Sequence, residues 1–470
     1  MKTKLFVLSI LFSSILTFSQ NKLVAKVDER VEIMSIAFRL AGAEEYSQNY
    51  NKKYTDDINT YFEPYKNAKV VEFIKNNRDK NGLGYDAVMS MAVHLSFKNE
   101  KFSPVKEKEN SLDKRWDKVD LKQFISLLNE FYEITNFQKF FNDNAKNYKN
   151  AENAYKNSVL SDFNIKWYTK FYGNDSSEEY KIILGYGNGS GNYGIKVNPK
   201  RSKTIVNAIV GVWDFDENGN PKFDKDVFQP LLIHEFNHSY VNYILEMNDN
   251  KAKVQNSGKL IYEKVEKEMK SQAYGDWETM INESIVRAAV IRYMMDNHYQ
   301  KEDIDYEIMI QKRNSFLWVD QLVDLLGNYQ NNRQKYPTLQ SFYPKIIDLF
   351  NQITPNMDLT MEEYKQKLPK VISISPDIWN RQDVDFNIHE ITVNFDREMN
   401  GKGVSINFGE SGKEHFPLKK FDGYTNNNTS IKLLMDMKPN TEYEFVLTGN
   451  KFISKDGYPL SKTIIKFKTK

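Results

Sequence analysis

The stretch Leu231–Tyr240, LLIHEFNHSY, places His234 and His238 four residues apart, with Glu235 directly after the first histidine. On an α-helix, residues four apart lie on one face about one turn apart, so both imidazoles can reach a single metal ion. Pro230, just before the stretch, suits the first turn of a helix. We therefore predict a helix that begins near Pro230 and carries His234 and His238 as metal ligands.

The residue types in this stretch suit a catalytic zinc site of the HExxH kind. Zinc in such sites takes imidazole nitrogens and a carboxylate, and it leaves a fourth position to water, whose pKa falls to about 7. A carboxylate that is not a ligand can take a proton from that water and pass it to a leaving amine. We predict Glu235 as this catalytic base. The alternative is an ordinary amphipathic helix whose two histidines are satisfied by hydrogen bonds.

A third ligand has to come from another element, and Glu283 in the helical stretch WETMINESIVRAA, residues 277–289, is the candidate. An HExxH helix followed by a helix with Asn282-Glu283 resembles the gluzincin group of metallopeptidases, in which that glutamate completes a His, His, Glu zinc site. More narrowly, HEFNHSY with NESIVRA behind a helical N-terminal region resembles a secreted bacterial family of unknown function, grouped with the peptidase MA-like clan. The resemblance implies one Zn²⁺ ion held by His234, His238 and Glu283.

One residue departs from the pattern that the resemblance implies. Thermolysin-like members carry an aspartate four residues after the ligand glutamate, where it supports a zinc histidine, and this chain has Arg287 there. Arg287 could pair with Glu283, contact a substrate carboxylate or serve packing alone. The supporting role then passes to another group. Candidates for supporting the site or contacting substrate are Asn282, Arg287, Tyr274 and Tyr293, the tyrosines as hydroxyl donors to a developing oxyanion.

The start of the chain predicts a cleavable signal peptide over residues 1–19. Lys2 and Lys4 precede the apolar run Leu5–Leu16, and small residues stand before Gln20. The run is too short to span a bilayer comfortably. Because the chain has no cysteine, a lipid anchor on cysteine and disulfides are both excluded. We expect export to the periplasm or the medium of a Gram-negative bacterium, with no transmembrane anchor after signal removal.

Composition indicates a folded chain with enough apolar residues for sizeable cores, at 40% hydrophobic and 14% aromatic residues. Lys and Arg number 65 against 63 Asp and Glu, for a formal charge of +2. This balance argues against nucleic-acid binding. A length of 470 residues predicts two or three domains.

Residue patterns divide the mature chain into three parts. Residues from about 20 to 174 show helical periodicity, and residues from about 175 to 368 hold the expected catalytic core. Three strands are predicted before the active-site helix, at Tyr180–Leu184, Tyr193–Val197 and Thr204–Trp213. The Gly-rich segment between the first two predicts a hairpin turn, with a flap over the cleft as the alternative. The resemblance implies that an edge strand here pairs with an extended peptide substrate.

The last part, residues 369–470, shows short alternating strands separated by Gly, Asn and Pro turns, a pattern typical of a β-sandwich. The segments SPD, EITVNFDREM, MKPNTEYEFVL and KDGYPL resemble the bacterial Ig-like domain of the surface-layer protein type. The resemblance implies a spacer, a stabilising partner, or a contact with a glycan or the cell surface. It does not by itself imply an activity.

Together these patterns predict an α+β protein: a mainly helical zincin-like domain with a small sheet, followed by an Ig-like sandwich. The function we expect is an exported zinc metallopeptidase that hydrolyses peptide bonds in peptide or protein substrates. The competing interpretation is a non-catalytic or non-peptidase zinc-binding protein of the envelope that acts as a binding module. The intact Glu235 argues against it, because a structural metal site has no use for a base.

Overall fold

The computed structural model describes residues 23–174 and 178–470. The predicted signal peptide, residues 1–19, lies outside the described residues. Long helices alternate with several small sheets, which confirms the predicted α+β class. The chain forms two compact units: one takes in the described residues up to Phe163 and from 178 to Gln229, and the other takes in Asn164 to 174 and everything from Pro230.

The α-helices of the described residues are α1 Glu29–Leu40, α2 Lys52–Phe62, α3 Lys69–Asn81, α4 Asp86–His94, α5 Leu121–Ile134, α6 Phe137–Asp143, α7 Ala145–Ser158, α8 Lys166–Tyr172, α9 Lys225–Leu245, α10 Asn250–Ser271, α11 Trp277–Asp296, α12 Lys301–Arg313, α13 Val319–Asn331, α14 Leu339–Ile353 and α15 Met357–Lys367.

The strands of the described residues are β1 Ala25–Val27, β2 Leu95–Lys98, β3 Lys101–Pro104, β4 Glu179–Gly185, β5 Asn192–Val197, β6 Ile205–Gly211, β7 Val371–Ser375, β8 Glu390–Phe395, β9 Ile406–Phe408, β10 Leu418–Thr425, β11 Ser430–Met435, β12 Glu442–Leu447 and β13 Thr463–Lys468.

The first unit is built around α1 and a four-stranded sheet. Asp28 caps α1 by accepting a hydrogen bond from the backbone N–H of Arg30 at 2.9 Å. Beyond this cap, α1 is buried almost throughout, so its apolar side chains form much of the core of this unit. The sheet has the order β1-β4-β6-β5, in which β4 is parallel to β1 and β6, and β5 is antiparallel to β6.

The predicted hairpin between β4 and β5 is wrong, because β6 lies between them. The sequence of β6, IVNAIVG, is buried from Val206 to Gly211, and a strand that is apolar on both faces belongs in the middle of a sheet. The Gly-rich segment is held as a longer loop, in which Tyr186 and Gly187 donate backbone hydrogen bonds to Glu32 at 2.7 and 3.1 Å.

Helical periodicity runs through residues 137–171 and 306–326, but each stretch is broken in the structure. The first forms α6, α7 and α8, and the second forms α12 and α13. The second break places Ser315 at a φ of 68°, and the buried Phe316 and Trp318 on either side of Leu317 anchor the connection. Apolar periodicity continues across both breaks, so the pattern alone does not reveal them.

In the second unit, α10 packs closely against α11. A Cβ atom at Gly258 of α10 would lie 2.4 Å from the Trp277 ring, so only glycine allows this approach. Ser257 also donates to the Asn351 side chain of α14 at 2.6 Å. The segment between the two helices that carry the predicted ligands is therefore itself a packed helix, and it begins at Asn250.

The C-terminal residues of this unit form a β-sandwich. One sheet has the order β10-β11-β8-β7 and the other the order β13-β12-β9. A single core joins both sheets; among its buried members are Ile391, Val393, Ile431, Leu433, Phe445, Leu447, Ile465 and Phe467. No helix of the described residues is long and apolar enough to cross a membrane.

Candidate metal centre

The helix α9 presents the two histidines of the HExxH stretch side by side. It begins at Lys225, so Pro230 lies inside the helix and the predicted first-turn position is wrong. The Asp224 carboxylate accepts from the N–H of Asp226 at 2.9 Å and starts the helix one turn earlier. The ring centroids of His234 and His238 are 4.8 Å apart, and their Nε2 atoms are 3.1 Å apart.

The neighbouring helix α11 brings Glu283 to the same point. Its Oε2 lies 3.5 Å from His234 Nε2, and its Oε1 lies 3.4 Å from His238 Nε2. The two helices are tied together by Asn237, which is fully buried and donates to the carbonyl of Val286 at 3.2 Å. The structure thus brings together all three predicted ligands, within 4.8 Å of one another.

These separations match what a zinc ion requires. Four ligands at the usual zinc distances of 2.0 to 2.2 Å lie about 3.3 to 3.6 Å from one another in a tetrahedron. The three observed separations, 3.1, 3.4 and 3.5 Å, are close to that value. Glu283 is buried, and its Oε2 has no hydrogen-bond partner among the described residues. Two imidazoles and one carboxylate therefore fit a divalent cation of the zinc type.

The protonation states of the histidines also suit metal binding. His238 Nδ1 lies 3.1 Å from the Asn242 Oδ1 atom. Since an amide oxygen only accepts hydrogen bonds, the proton sits on Nδ1 and the Nε2 lone pair is left for a metal. Burial, with smaller contributions from the charges of His238 and Arg287, holds the pKa of His234 well below its usual value. His234 is therefore neutral at pH 7.

Glu235 follows the first histidine and is only partly exposed. Burial raises the pKa of its carboxyl, the nearby charge of Glu283 adds to this effect, and the charges of His238 and Arg287 oppose it. A carboxylate with a raised pKa is a better proton acceptor at neutral pH than an exposed one. Its place beside the ligand cluster gives it the position that the motif predicts for the base.

Arg287 pairs with Glu283, the third predicted ligand. Its Nε lies 3.3 Å from Glu283 Oε2, and its Nη2 donates to the Tyr274 hydroxyl at 2.6 Å. Nη1 donates to the Gln311 side chain, and the guanidinium lies 4.6 Å from the centre of the Phe316 ring. Of the three roles left open by the sequence, these contacts match pairing with Glu283.

The other candidate residues fall into two groups. Tyr274 is at the cluster, and burial, with the charge of Glu283 next, raises its pKa to about 12. Asn282 adjoins Glu283, and its Oδ1 is buried without a hydrogen-bond partner among the described residues. Tyr293 is ten residues beyond Glu283 on α11, which amounts to about 15 Å along the helix. Its hydroxyl accepts from the N–H of Asn164 at 2.6 Å, so the structure does not bring Tyr293 to the cluster.

Three residues that position the site were not predicted: Asn237, Asn242 and Gln311. Asn242 had a readable signal, because it stands four residues after His238 and therefore on the same helical face. Asn237 lies inside the motif but on the opposite, buried face. Gln311 comes from α12 and has no fixed spacing to the motif, so only the fold reveals it.

Comparison with protein families gives a match over most of the chain. Residues 23–349, which include α9 and α11, match the family described as "Domain of unknown function (DUF4932)". A comparison with curated proteins gives no match.

Comparison with solved structures gives likenesses to surface layer proteins. The structure of domains 1-6 of surface layer protein SbsC is 13% identical over 55% of this chain and 35% of that chain, with a TM-score of 0.16. The N-terminal part of bacterial S-layer protein SbsC is 14% identical over 55% of this chain and 61% of that chain, with a TM-score of 0.17. The S-layer protein rSbsC(31-844) is 12% identical over 86% of this chain and 46% of that chain, with a TM-score of 0.16. The chain thus covers less than two thirds of each of these proteins, and TM-scores this low do not indicate a shared fold.

Proposed function

The chain belongs to the DUF4932 family, a domain of unknown function, and from the geometry of its candidate metal centre we propose that it is an exported zinc metallopeptidase. In this proposal His234, His238 and Glu283 hold one Zn²⁺ ion, and Glu235 is the catalytic base. The substrate is a peptide or protein. This arrangement corresponds to the gluzincin pattern that the sequence resembles.

One observation carries the proposal. Two imidazole nitrogens and a buried carboxylate converge at separations of 3.1 to 3.5 Å, and a further carboxylate, Glu235, directly follows the first histidine in the chain. A purely structural histidine pair would be satisfied by hydrogen bonds, and a structural zinc site would be closed by a fourth protein ligand. Among the described residues, the three-member cluster has no fourth His, Asp or Glu. That leaves a position for a water molecule and a substrate carbonyl.

The division of labour follows from the contacts. Zinc, when bound, would supply a Lewis acid that polarises the scissile carbonyl and lowers the pKa of a water molecule. Glu235 takes the proton from the attacking water and passes it to the amine that leaves. Tyr274 offers a hydroxyl beside the cluster to the developing oxyanion, and Arg287, which contacts both Tyr274 and Glu283, holds the two in register.

The proposal is tested with mature protein beginning at Gln20, loaded with zinc, on a diverse peptide library read by mass spectrometry. Glu235→Gln keeps the shape of the side chain but removes the base, so cleavage should fall by about 10² to 10⁴-fold. Its zinc content should equal that of the wild type. Glu246→Gln, at an exposed glutamate just past the end of α9, is the matched control and should cleave normally.

Two results would count against the proposal in different ways. If the wild type holds zinc but cuts nothing in the library, the protein is a zinc-binding module or acts on another kind of bond. If Glu235→Gln cleaves as fast as the wild type, the cleaving activity belongs to another site or a contaminant, and Glu235 is not the base.

A further inference from the structure

A cluster of exposed cations lies in the first unit, in a chain whose overall charge is nearly balanced. No acidic residue occurs between Glu179 and Asp214, while this stretch carries Lys200, Arg201 and Lys203 close together. The net charge of the whole chain is therefore nearly balanced, but this stretch carries a local excess of positive charge. The loop that carries it joins β5 to β6.

A second segment adds to this excess. Glu107 and Pro199 form an antiparallel β-bridge, with the N–H of Lys108 donating to the Asn198 carbonyl and the N–H of Lys200 donating to the Lys106 carbonyl, both at 2.8 Å. The two segments thus form a short ribbon. Because side chains alternate along such a ribbon, Lys106 and Lys108 lie on the face opposite to Glu107.

Glu107, the acidic residue of this ribbon, points inward, and both of its carboxylate oxygens accept hydrogen bonds there. Glu107 Oε1 accepts from the N–H of Asn198 at 2.9 Å and from the Ser111 hydroxyl, and it lies 3.5 Å from His94 Nε2. Its Oε2 accepts from the N–H of Ser111 at 3.3 Å. Glu107 therefore fixes the ribbon from below and does not neutralise the lysines on the outer face.

The outer cations have no acidic partner among the described residues. Lys106, Lys108, Lys200, Arg201 and Lys203 are all exposed, and across residues 23–174 and 178–470 none of them lies within ion-pair distance of a carboxylate. By contrast, the neighbouring Lys196 pairs with Glu178 at 2.8 Å. Lys108 instead donates to the carbonyl of Ser202 at 3.1 Å, which draws its ammonium group over the loop.

Four of these cations line a shallow, open depression in the surface. We call it the basic basin; its volume is about 520 Å³, and it is lined by Lys108, Lys200, Arg201, Ser202, Lys203 and Thr204. Four like charges on one small area of surface repel one another, and their summed field attracts anions. An anionic ligand would relieve that repulsion.

The lining residues also indicate which class of anion binds here. No aromatic or aliphatic side chain lines the basic basin, whereas proteins that sit on bilayers combine cations with apolar or aromatic anchors. Ser202 and Thr204 add hydroxyl groups, which pair readily with the hydroxyls of sugars.

We propose that the basic basin binds an acidic polysaccharide, a glycan chain that carries carboxylate or phosphate groups at intervals. The signal peptide predicted from the sequence would deliver the protein to a compartment where such glycans occur. This surface lies in the first unit, whereas the candidate metal centre lies in the second, so the inference does not depend on the proposed peptidase activity.

The test measures binding of the full mature chain to polygalacturonate, with neutral dextran as the uncharged comparison. The triple variant Lys200→Gln, Arg201→Gln, Lys203→Gln removes three cations of the basic basin. The matched control Lys402→Gln, Lys419→Gln, Lys462→Gln removes three exposed lysines of the C-terminal sandwich. Both variants change the net charge equally, and circular dichroism checks that both fold.

The wild type should bind polygalacturonate and not dextran, with an affinity that falls as salt rises. The basic-basin variant should bind about tenfold more weakly or worse, from three exposed ion pairs, and the control variant should bind like the wild type. Equal losses in both variants would overturn the proposal in favour of net charge. A loss in the control alone would move glycan binding to the sandwich. Failure of the wild type to bind polygalacturonate, or tighter binding to phosphatidylglycerol vesicles or duplex DNA, would overturn it as well.

Discussion

Two buried glutamates, Glu32 in the first unit and Glu283 in the second, show how a fold uses the same side chain in opposite ways. Glu32 accepts hydrogen bonds from the Tyr54 hydroxyl at 2.6 Å and from the N–H groups of Tyr186 and Gly187 at 2.7 and 3.1 Å. Glu283 faces two imidazole nitrogens, and its Oε2 also lies 3.3 Å from Arg287 Nε without forming a hydrogen bond to it. A carboxylate surrounded by donors is complete, whereas one that converges with two imidazole nitrogens at these separations can share a divalent cation with them.

The largest expected effect is a difference in zinc affinity between variants of the two glutamates. Glu283→Gln removes a charged ligand of the cluster, so zinc affinity should fall by at least about a hundredfold, more than the loss of a supporting residue costs. Glu32→Gln should leave zinc affinity unchanged. The measurement is zinc content after dialysis against a competing chelator.

Equal zinc loss in both variants would mean that the metal depends on global stability and not on Glu283 as a ligand. Full zinc retention in Glu283→Gln would remove Glu283 from the ligand set. Circular dichroism of both variants distinguishes unfolding from a true loss of the site.

The next largest effect is a pH dependence of stability that Glu32 causes. Burial is the main reason that the pKa of Glu32 rises from 4.5 to about 7. The folded state therefore holds this proton more tightly than the unfolded state. The stabilising contribution is fully present below pH 4.5 and is lost as pH rises through about 7, to a total of about 3 kcal/mol.

Urea unfolding of the wild type and of Glu32→Gln, followed from pH 4.5 to above pH 7, measures this contribution. The difference in the free energy of unfolding between the two proteins should change over that range, because the glutamine does not titrate. A difference that stays constant with pH would show that Glu32 has an ordinary pKa in the folded protein.

The two glutamates also mark what the sequence could and could not predict. His234, His238 and Glu235 follow from spacing on one helix, since four residues make about one turn. The prediction of Glu283 required a family resemblance, because its helix, α11, is separated from α9 in the chain by the whole of α10. Glu32 was assigned no role, because its donors come from a loop about 150 residues away, and no local pattern reveals them.

The fold predictions divide in the same way, into features that have a local sequence signal and features that do not. The alternating strands of the C-terminal sandwich were predicted, because alternation along a strand is a local signal. The order of β4, β6 and β5 was not found, because strand neighbours are chosen by burial across the sheet. Local patterns therefore gave the elements, and the packed structure supplied their neighbours.

A smaller effect compares the tyrosines beside the two glutamates. Tyr274→Phe removes the hydroxyl that Arg287 contacts, so we expect cleavage to slow by about ten- to a hundredfold in kcat, with unchanged zinc content. Tyr54→Phe removes a donor to Glu32 and should cost about 1 to 3 kcal/mol of stability instead. Steady-state kinetics and urea unfolding on both variants test this crossed pattern. A stability loss without a kcat change in Tyr274→Phe would make Tyr274 a packing residue.

The smallest effect concerns the orientation of a single ring. The Asn242 side chain holds the proton on His238 Nδ1, with a separation of 3.1 Å, and Asn242 itself is exposed. Asn242→Ala should therefore leave stability nearly unchanged but weaken zinc binding by about tenfold, the lower end for a residue that orients a ligand histidine. Asn242→Asp, which also accepts from Nδ1, should bind zinc at least as tightly as the wild type. Zinc competition titrations rank the three proteins, and equal affinity in Asn242→Ala and the wild type would show that the helix alone orients His238. No such substitution is available around Glu32, because the groups that donate hydrogen bonds to it are part of the packed core.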